Sequence, residues 1–254
     1  MPMNPDKHPF AREDQPRSVQ SLEAELERAR ALDVADLADA IESIGFECTR
    51  CGACCKAEAD DPHTATVFPD EVRELQDATE YDWRDVARPM PYGLEGSEDA
   101  NEPEAVDDTD ADGRSESEPT GETFEWALQT DACGDCVFYE EAADGTGACS
   151  VHDDRPLICE TYPFSVALGG TSQPMGEAVD EAGMVRAHEC EGLGRDISRD
   201  RAEELAAALK ERAVRELAEA IAVRDEYEPA DPAEGVVVHD SEGAKRPDGS
   251  AYEG

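Results

Sequence analysis

Lysine is nearly missing from this chain: Lys7, Lys56, Lys210 and Lys245 are the only four, against 63 acidic residues. With 22 basic residues in all and a formal net charge of -41, no localised basic patch stands out. That argues against a phosphate-following face, and so against the nucleic-acid-binding class of cysteine-rich proteins. Aromatics are also scarce at 6%, which predicts a small core and segments that never pack. No apolar run approaches the ~18 residues of a membrane span, and "MPMNPDKHPFARED" lacks the apolar stretch of a signal peptide. A soluble, cytoplasmic protein without nucleic-acid or membrane partners is therefore expected; a protein partner is not readable. The excess of acid over lysine reads as halophilic adaptation, because at ~1 M salt a Debye length of roughly 3 Å screens self-repulsion.

Cysteine, by contrast, is plentiful, with nine residues unevenly placed. The stretch "FECTRCGACCK" puts Cys48, Cys51, Cys54 and Cys55 into eight positions, and "CGDC" adds Cys133 and Cys136. Cys149, Cys159 and Cys190 follow singly. In a reducing compartment such clusters read as metal ligands or redox groups more readily than as disulfides. Two residues between thiolates let a tight turn aim both sulfurs at one metal, the usual half-site of zinc and iron–sulfur centres. Thiolates suit both metals, so ligand type does not choose between them. Neighbouring side chains diverge in most backbone conformations, which would aim Cys54 and Cys55 in two directions. Two centres, or one polynuclear cluster, are both consistent with about eight ligands.

The rest of the chain suggests an α+β fold, with short strands and irregular loops organised around the cysteines and packed by flanking helices. Residues 1–17 and 227–254 read as disordered ends, and 18–226 as one cysteine-cluster metal-binding domain. Within it, 93–122 carries twelve acids and one base, a composition that predicts a disordered acidic insert. Leu22, Leu26 and Ala29 have helical spacing, Asp33 reads as the N-cap of a second helix, and Gly45 as its stop. Pro69 suits a first helical turn, and Asp82 could start a short helix burying Trp83 and Val86. "TFEWALQT" alternates Phe124, Trp126 and Leu128 on one strand face, and "CVFYE" and "YPFSVAL" are further strand candidates. Asp200 with Glu203 forms a capping-box pattern, followed by Leu205, Leu209, Ala213, Leu217 and Ile221 on one face of a long helix expected to pack on the core.

The signature "FECTRCGACC", with Cys149, Val151 and His152, then Arg155, Pro156, Cys159 and Tyr162, Pro163 and Phe164, resembles the CxxCxxCC cysteine-cluster family over residues 46–194. The resemblance implies a zinc- or iron-chelating domain. Carried over position by position, its ligands are Cys48, Cys51, Cys54, Cys55, Cys136, Cys149, Cys159 and Cys190, with Cys133 an extra. The implied cofactor is zinc or an iron–sulfur cluster, and the implied partner a metal ion or cluster. Glu160 stands where relatives commonly have arginine, leaving Arg50, Lys56 and Arg155 as possible balancing charges. His152 and His188 read as loop residues, and His8, His63 and His239 as residues without a function. Two other functions share these residues: an iron–sulfur redox carrier, and, because the resemblance extends to flagellin lysine methylase, a protein lysine N-methyltransferase-like enzyme.

Overall fold

The computed structural model describes residues 21–57, 63–94, 119–168, 177–230 and 235–253. The predicted N-terminal segment 1–17 and most of the acidic insert, 95–118, lie outside them. The fold is α+β, as the sequence suggests. Helix α1, Leu22–Arg30, starts at Ser21, whose hydroxyl accepts from Ala24 N, and α2, Val34–Ile44, starts at Asp33, whose carboxylate accepts from Ala35 N at 2.8 Å. Each cap satisfies an N–H that the helix itself leaves open. Gly45, at φ 78°, ends α2 and turns the chain directly into the first cysteine segment.

Strand β1, Thr66–Val67, leads into α3, Pro69–Thr79, followed by α4, Trp83–Val86, and β2, Ala87–Pro89. The predicted single strand around "TFEWALQT" is two strands. β3, Gly121–Thr123, and β4, Trp126–Leu128, belong to different sheets, and Phe124 between them is 46% exposed while all of β4 is buried. Alternation fails there because the chain changes partners. β4 lies between β1 and β2, antiparallel to both.

The hairpin β5, Tyr139–Glu141, with β6, Gly147–Cys149, precedes α5, Leu157–Thr161. β7, Phe164–Val166, then joins the hairpin β8, Asp180–Ala182, with β9, Val185–Ala187, in the order β7-β9-β8. Helix α6, Arg199–Glu226, is the long helix expected. Its cap is Ser198, whose hydroxyl accepts from Arg201 N, in place of the Asp200 and Glu203 pair; the helix begins earlier, and Asp200 sits in the first turn where an acid suits the dipole.

The predicted disordered tail is corrected by β10, Val236–Asp240, and β11, Gly243–Lys245. β10 is buried along its length and lies between β11 and β3, pairing in parallel with β3 from Val236 opposite Gly121 to Val238 opposite Thr123. Its three consecutive valines are the signal of a strand covered on both faces, outweighed in the sequence reading by the acids and glycines around them.

Two hydrophobic clusters result. In the first, Leu26, Leu37 and Ile41 of α1 and α2 meet Leu205, Leu209, Ala213 and Leu217 of α6, with Phe164 and Val185 from the β7-β9-β8 sheet. In the second, Val72, Leu75, Trp83 and Val86 meet Trp126, Leu128, Phe138 and Val238. Cys136 is buried in this second cluster, and Cys55, Cys149 and Cys159 pack against it.

Candidate metal centre

The first cysteine segment has almost no regular structure and is placed by backbone hydrogen bonds to its neighbours. On one side Glu47 N donates to Gly192 O at 3.0 Å and Gly194 N to Gly45 O at 3.0 Å, tying it to the loop that carries Cys190. On the other, Gly147 N donates to Arg50 O at 2.7 Å and Cys136 N to Cys55 O at 2.8 Å, tying it to the β5–β6 hairpin. Arg50 and Gly52 both have positive φ, 58° and 77°. These two residues turn the chain sharply between the first three cysteines, and a Cβ at Gly52 would collide with the Tyr139 ring. A non-glycine residue such as Arg50 in this region costs roughly 1–2 kcal/mol, which the bond to Gly147 helps to offset.

Helix α5 brings Cys159. Its start is fixed from α3 by Glu71, whose carboxylate accepts from Leu157 N and Phe68 N, each at 2.9 Å. Burial pushes the Glu71 carboxyl up despite those bonds, so its place is fixed by backbone donors in a dry setting.

The outcome is one cavity of about 290 Å³ whose walls include Cys48, Cys51, Cys54, Cys55, Cys136, Cys149, Cys159 and Cys190, all eight predicted ligand positions. Cys133 is not among the lining residues; it is exposed, and its N–H donates to Asp131 Oδ1 at 2.7 Å. The adjacent pair does not diverge as expected. Cys54 and Cys55 lie in a single 3-10 turn, Ala53–Cys55, with their Sγ atoms 3.8 Å apart. A turn of this type separates successive side chains by about 120°, not the opposition of a strand, which leaves both sulfurs free to lean together. Two thiolates bound at ~2.3 Å to one tetrahedral ion would stand ~3.8 Å apart, a spacing that a thiol–thiol hydrogen bond shares.

The thiols raise one another's cost of ionisation. The neighbouring Cys55 thiol, then burial, holds Cys54 well above the ordinary thiol range. Burial pushes Cys136 up to about 11, with Cys149 and Cys54 adding to it. Burial likewise raises Cys149, Cys159 and Cys190. Cys54 acts on two groups, Cys136, Cys149 and Cys159 on one side and Cys190, alongside Cys48 and Cys51, on the other. Arg155 opposes the trend at Cys54, Cys149 and Cys159. Lys56 is engaged by Glu141, so Arg155 is the better candidate among the bases for balancing thiolate charge.

Other lining residues were not read from the sequence as part of the site. Arg201 reaches it from the first turn of α6, and His63 from the segment before β1. Only the fold brings them in: neither lies in a cysteine motif. His152 lines the cavity with an exposed ring, whereas His188 is buried elsewhere, its Nε2 2.8 Å from Ser165 Oγ. Among the described residues, no three Cys, His, Asp or Glu side chains already form a set able to hold a metal ion. The donors nonetheless fit one in kind: soft sulfur ligands, partly withdrawn from water, whose ionised forms call for a neighbouring cation.

A cavity walled by eight thiols between short strands and loops defines a cysteine-cluster domain. The chain belongs to the CxxCxxCC family, described as "Putative zinc- or iron-chelating domain", whose model matches residues 47–191, more than half of the chain. Neither a curated protein nor a solved structure matches it. No helix among the described residues is long and apolar enough to cross a membrane.

Proposed function

We propose that the protein chelates zinc or iron through Cys48, Cys51, Cys54, Cys55, Cys136, Cys149, Cys159 and Cys190 in one polynuclear thiolate centre. The observation that carries this reading is the presence of all eight cysteines in the wall of a single cavity, brought there from five separate stretches of chain. Eight thiols are twice what one tetrahedral ion takes, and the action of Cys54 on both Cys159 and Cys190 favours a shared centre over two distant ones. Zinc bound there would contribute folding energy by joining loops that have little other support, and an iron–sulfur cluster would add electron transfer. In either case Arg155 offsets thiolate charge, and the backbone bonds from Gly147 to Arg50 and from Cys136 to Cys55 hold the first segment against the hairpin.

The test is anaerobic purification in molar salt, followed by elemental analysis and a visible absorption spectrum. Two or more zinc ions per chain in colourless protein, or iron with sulfide-to-iron absorption bands, is the expected result. Protein that carries neither metal, and takes up neither on reconstitution, would overturn the reading. Cys54→Ser and Cys55→Ser sharpen it: in a shared centre each removes the same metal, whereas two separate centres would lose different fractions.

A further inference from the structure

A second cavity, of about 610 Å³, lies along the seam between the two hydrophobic clusters and shares no lining residue with the thiol cavity. Val166, Leu168 and Leu217 of the helical cluster and Val67 and Trp126 of the sheet cluster meet in its wall. Its volume is that of small-molecule sites, roughly 300–1,000 Å³. The last turns of α6 form one side. Ala213 and Leu217 are buried in the core, but Ala220 and Val223, further along the same face, are only half-buried where they border the cavity.

Aromatic side chains gather here although they make up 6% of the chain: Phe68, Tyr92, Phe124, Trp126 and Tyr227 all line the cavity. Tyr92, Phe124 and Tyr227 are also three of the six large apolar side chains left exposed among the described residues. The Phe124 and Tyr227 rings stand 5.4 Å apart at 60° to each other. Exposed apolar groups scattered over a surface need no explanation, but their concentration at one cavity marks a binding surface.

Charge selects the occupant. Glu125, Glu216, Glu219 and Asp240 line the wall against a single base, Arg224, which is already engaged by Glu23 and Asp225, each at 2.7 Å. Three of the acids are also occupied: Glu216 accepts from Arg212 Nε at 2.7 Å, Glu219 from Ser241 N at 2.8 Å and Asp240 from Trp126 Nε1 at 2.8 Å. Glu125 differs, since no donor or cation among the described residues reaches its carboxylate. Its side chain is accessible, yet the surrounding protein, and then Glu216 and Glu219, push the carboxyl above its ordinary range. A cation beside it would relieve both effects, and aromatic faces attract the same charge.

We propose that this cavity binds a small organic ammonium ion, its charge met by Glu125 and the exposed aromatic rings and its apolar body lying in the seam between the clusters. An anion would meet four carboxylates, and an uncharged apolar molecule would leave Glu125 without a counter-charge. Binding of this kind is separate from chelation and stands whether or not the thiols hold metal.

The experiment titrates the full-length chain in molar potassium chloride with benzyltrimethylammonium, following tryptophan fluorescence. Trp126 is in the wall, and Trp83 packs edge-on against it at 5.1 Å. A saturable change is expected, and uncharged benzyl alcohol should bind about tenfold more weakly. Glu125→Gln removes a charge that has no partner to lose; it should weaken ammonium binding by about tenfold, and Phe124→Ala by about two- to fivefold. No saturable change, equal affinity for the two probes, or undiminished ammonium affinity in either variant would each overturn the proposal. Should a variant fail to fold, the comparison of the two probes on the unaltered chain decides.

Discussion

Of the two hydrophobic clusters, one contains no cysteine and the other ends in a wall of them. The helical cluster is closed by α1, α2 and a 28-residue α6, elements long enough to bury continuous apolar faces against one another. The sheet cluster joins α3 and the short α4 to strands of two to five residues, and a strand that short carries few ladder bonds and few side chains. Where the helical cluster uses leucine and isoleucine to its edge, the sheet cluster passes into Cys55, Cys136, Cys149 and Cys159. The contrast is between a half closed by long apolar helix faces and a half whose apolar core passes into thiols.

The largest expected effect follows directly. If a structural metal occupies the thiol cavity, stripping it should cost on the order of 10 kcal/mol of folding free energy, concentrated in the sheet half. Hydrogen exchange of loaded and chelator-treated protein should show protection lost around β4, β5 and β6 and kept in α1, α2 and α6. Equal loss in both halves would break the comparison. Next, Asp240→Ala should destabilise by about 2–5 kcal/mol. Asp240 Oδ2 lies 2.8 Å from Lys245 Nζ and accepts from Trp126 Nε1 at 2.8 Å, so its removal leaves the buried Trp126 N–H without its acceptor and Lys245 with Glu242 alone. Chemical denaturation measures the loss, and Trp126 fluorescence should report it.

Leu209→Ala, in the helical cluster, should cost about 2–5 kcal/mol by the same denaturation assay, with metal content per chain unchanged. A drop in bound metal would mean that the two halves are not separable. The smallest effect concerns acid. Arg73, followed by Lys245, holds the Glu242 carboxyl at about 2, below its ordinary 4.5. Because the folded value is the lower one, the contribution is fully present above pH 4.5 and is lost as pH falls through about 2. Glu242→Gln should remove that part of the acid sensitivity, read from unfolding midpoints between pH 5 and 2.

The same division explains what the sequence disclosed. Asp33, Gly45, Pro69 and the α6 stripe were legible because caps and 3.6-residue periodicity act locally. The eight cavity cysteines were legible through motif and resemblance, without geometry. The convergence of Cys54 and Cys55 was not, since it depends on a 3-10 turn set by Arg50 and Gly52. Nor were β10 and His63. Val236 to Val238 need Gly121 to Thr123 as a partner more than a hundred positions earlier, and His63 enters the cavity wall only when Gly134 and Arg88 fix its backbone.

The parallel pairing of β10 with β3 also bears on the order of events during synthesis. Domains assemble as the chain leaves the ribosome, and every cysteine of the cavity has emerged before Val236 does. The β11-β10-β3 sheet therefore stays two strands short, and the cluster that holds Cys136 lacks Val236 and Val238, until translation has passed Lys245. A ribosome-stalled chain ending before Val236 should expose its cysteines to alkylation that the full chain resists. Completion of the cluster around Cys136 would then be among the last steps of the chain's own synthesis.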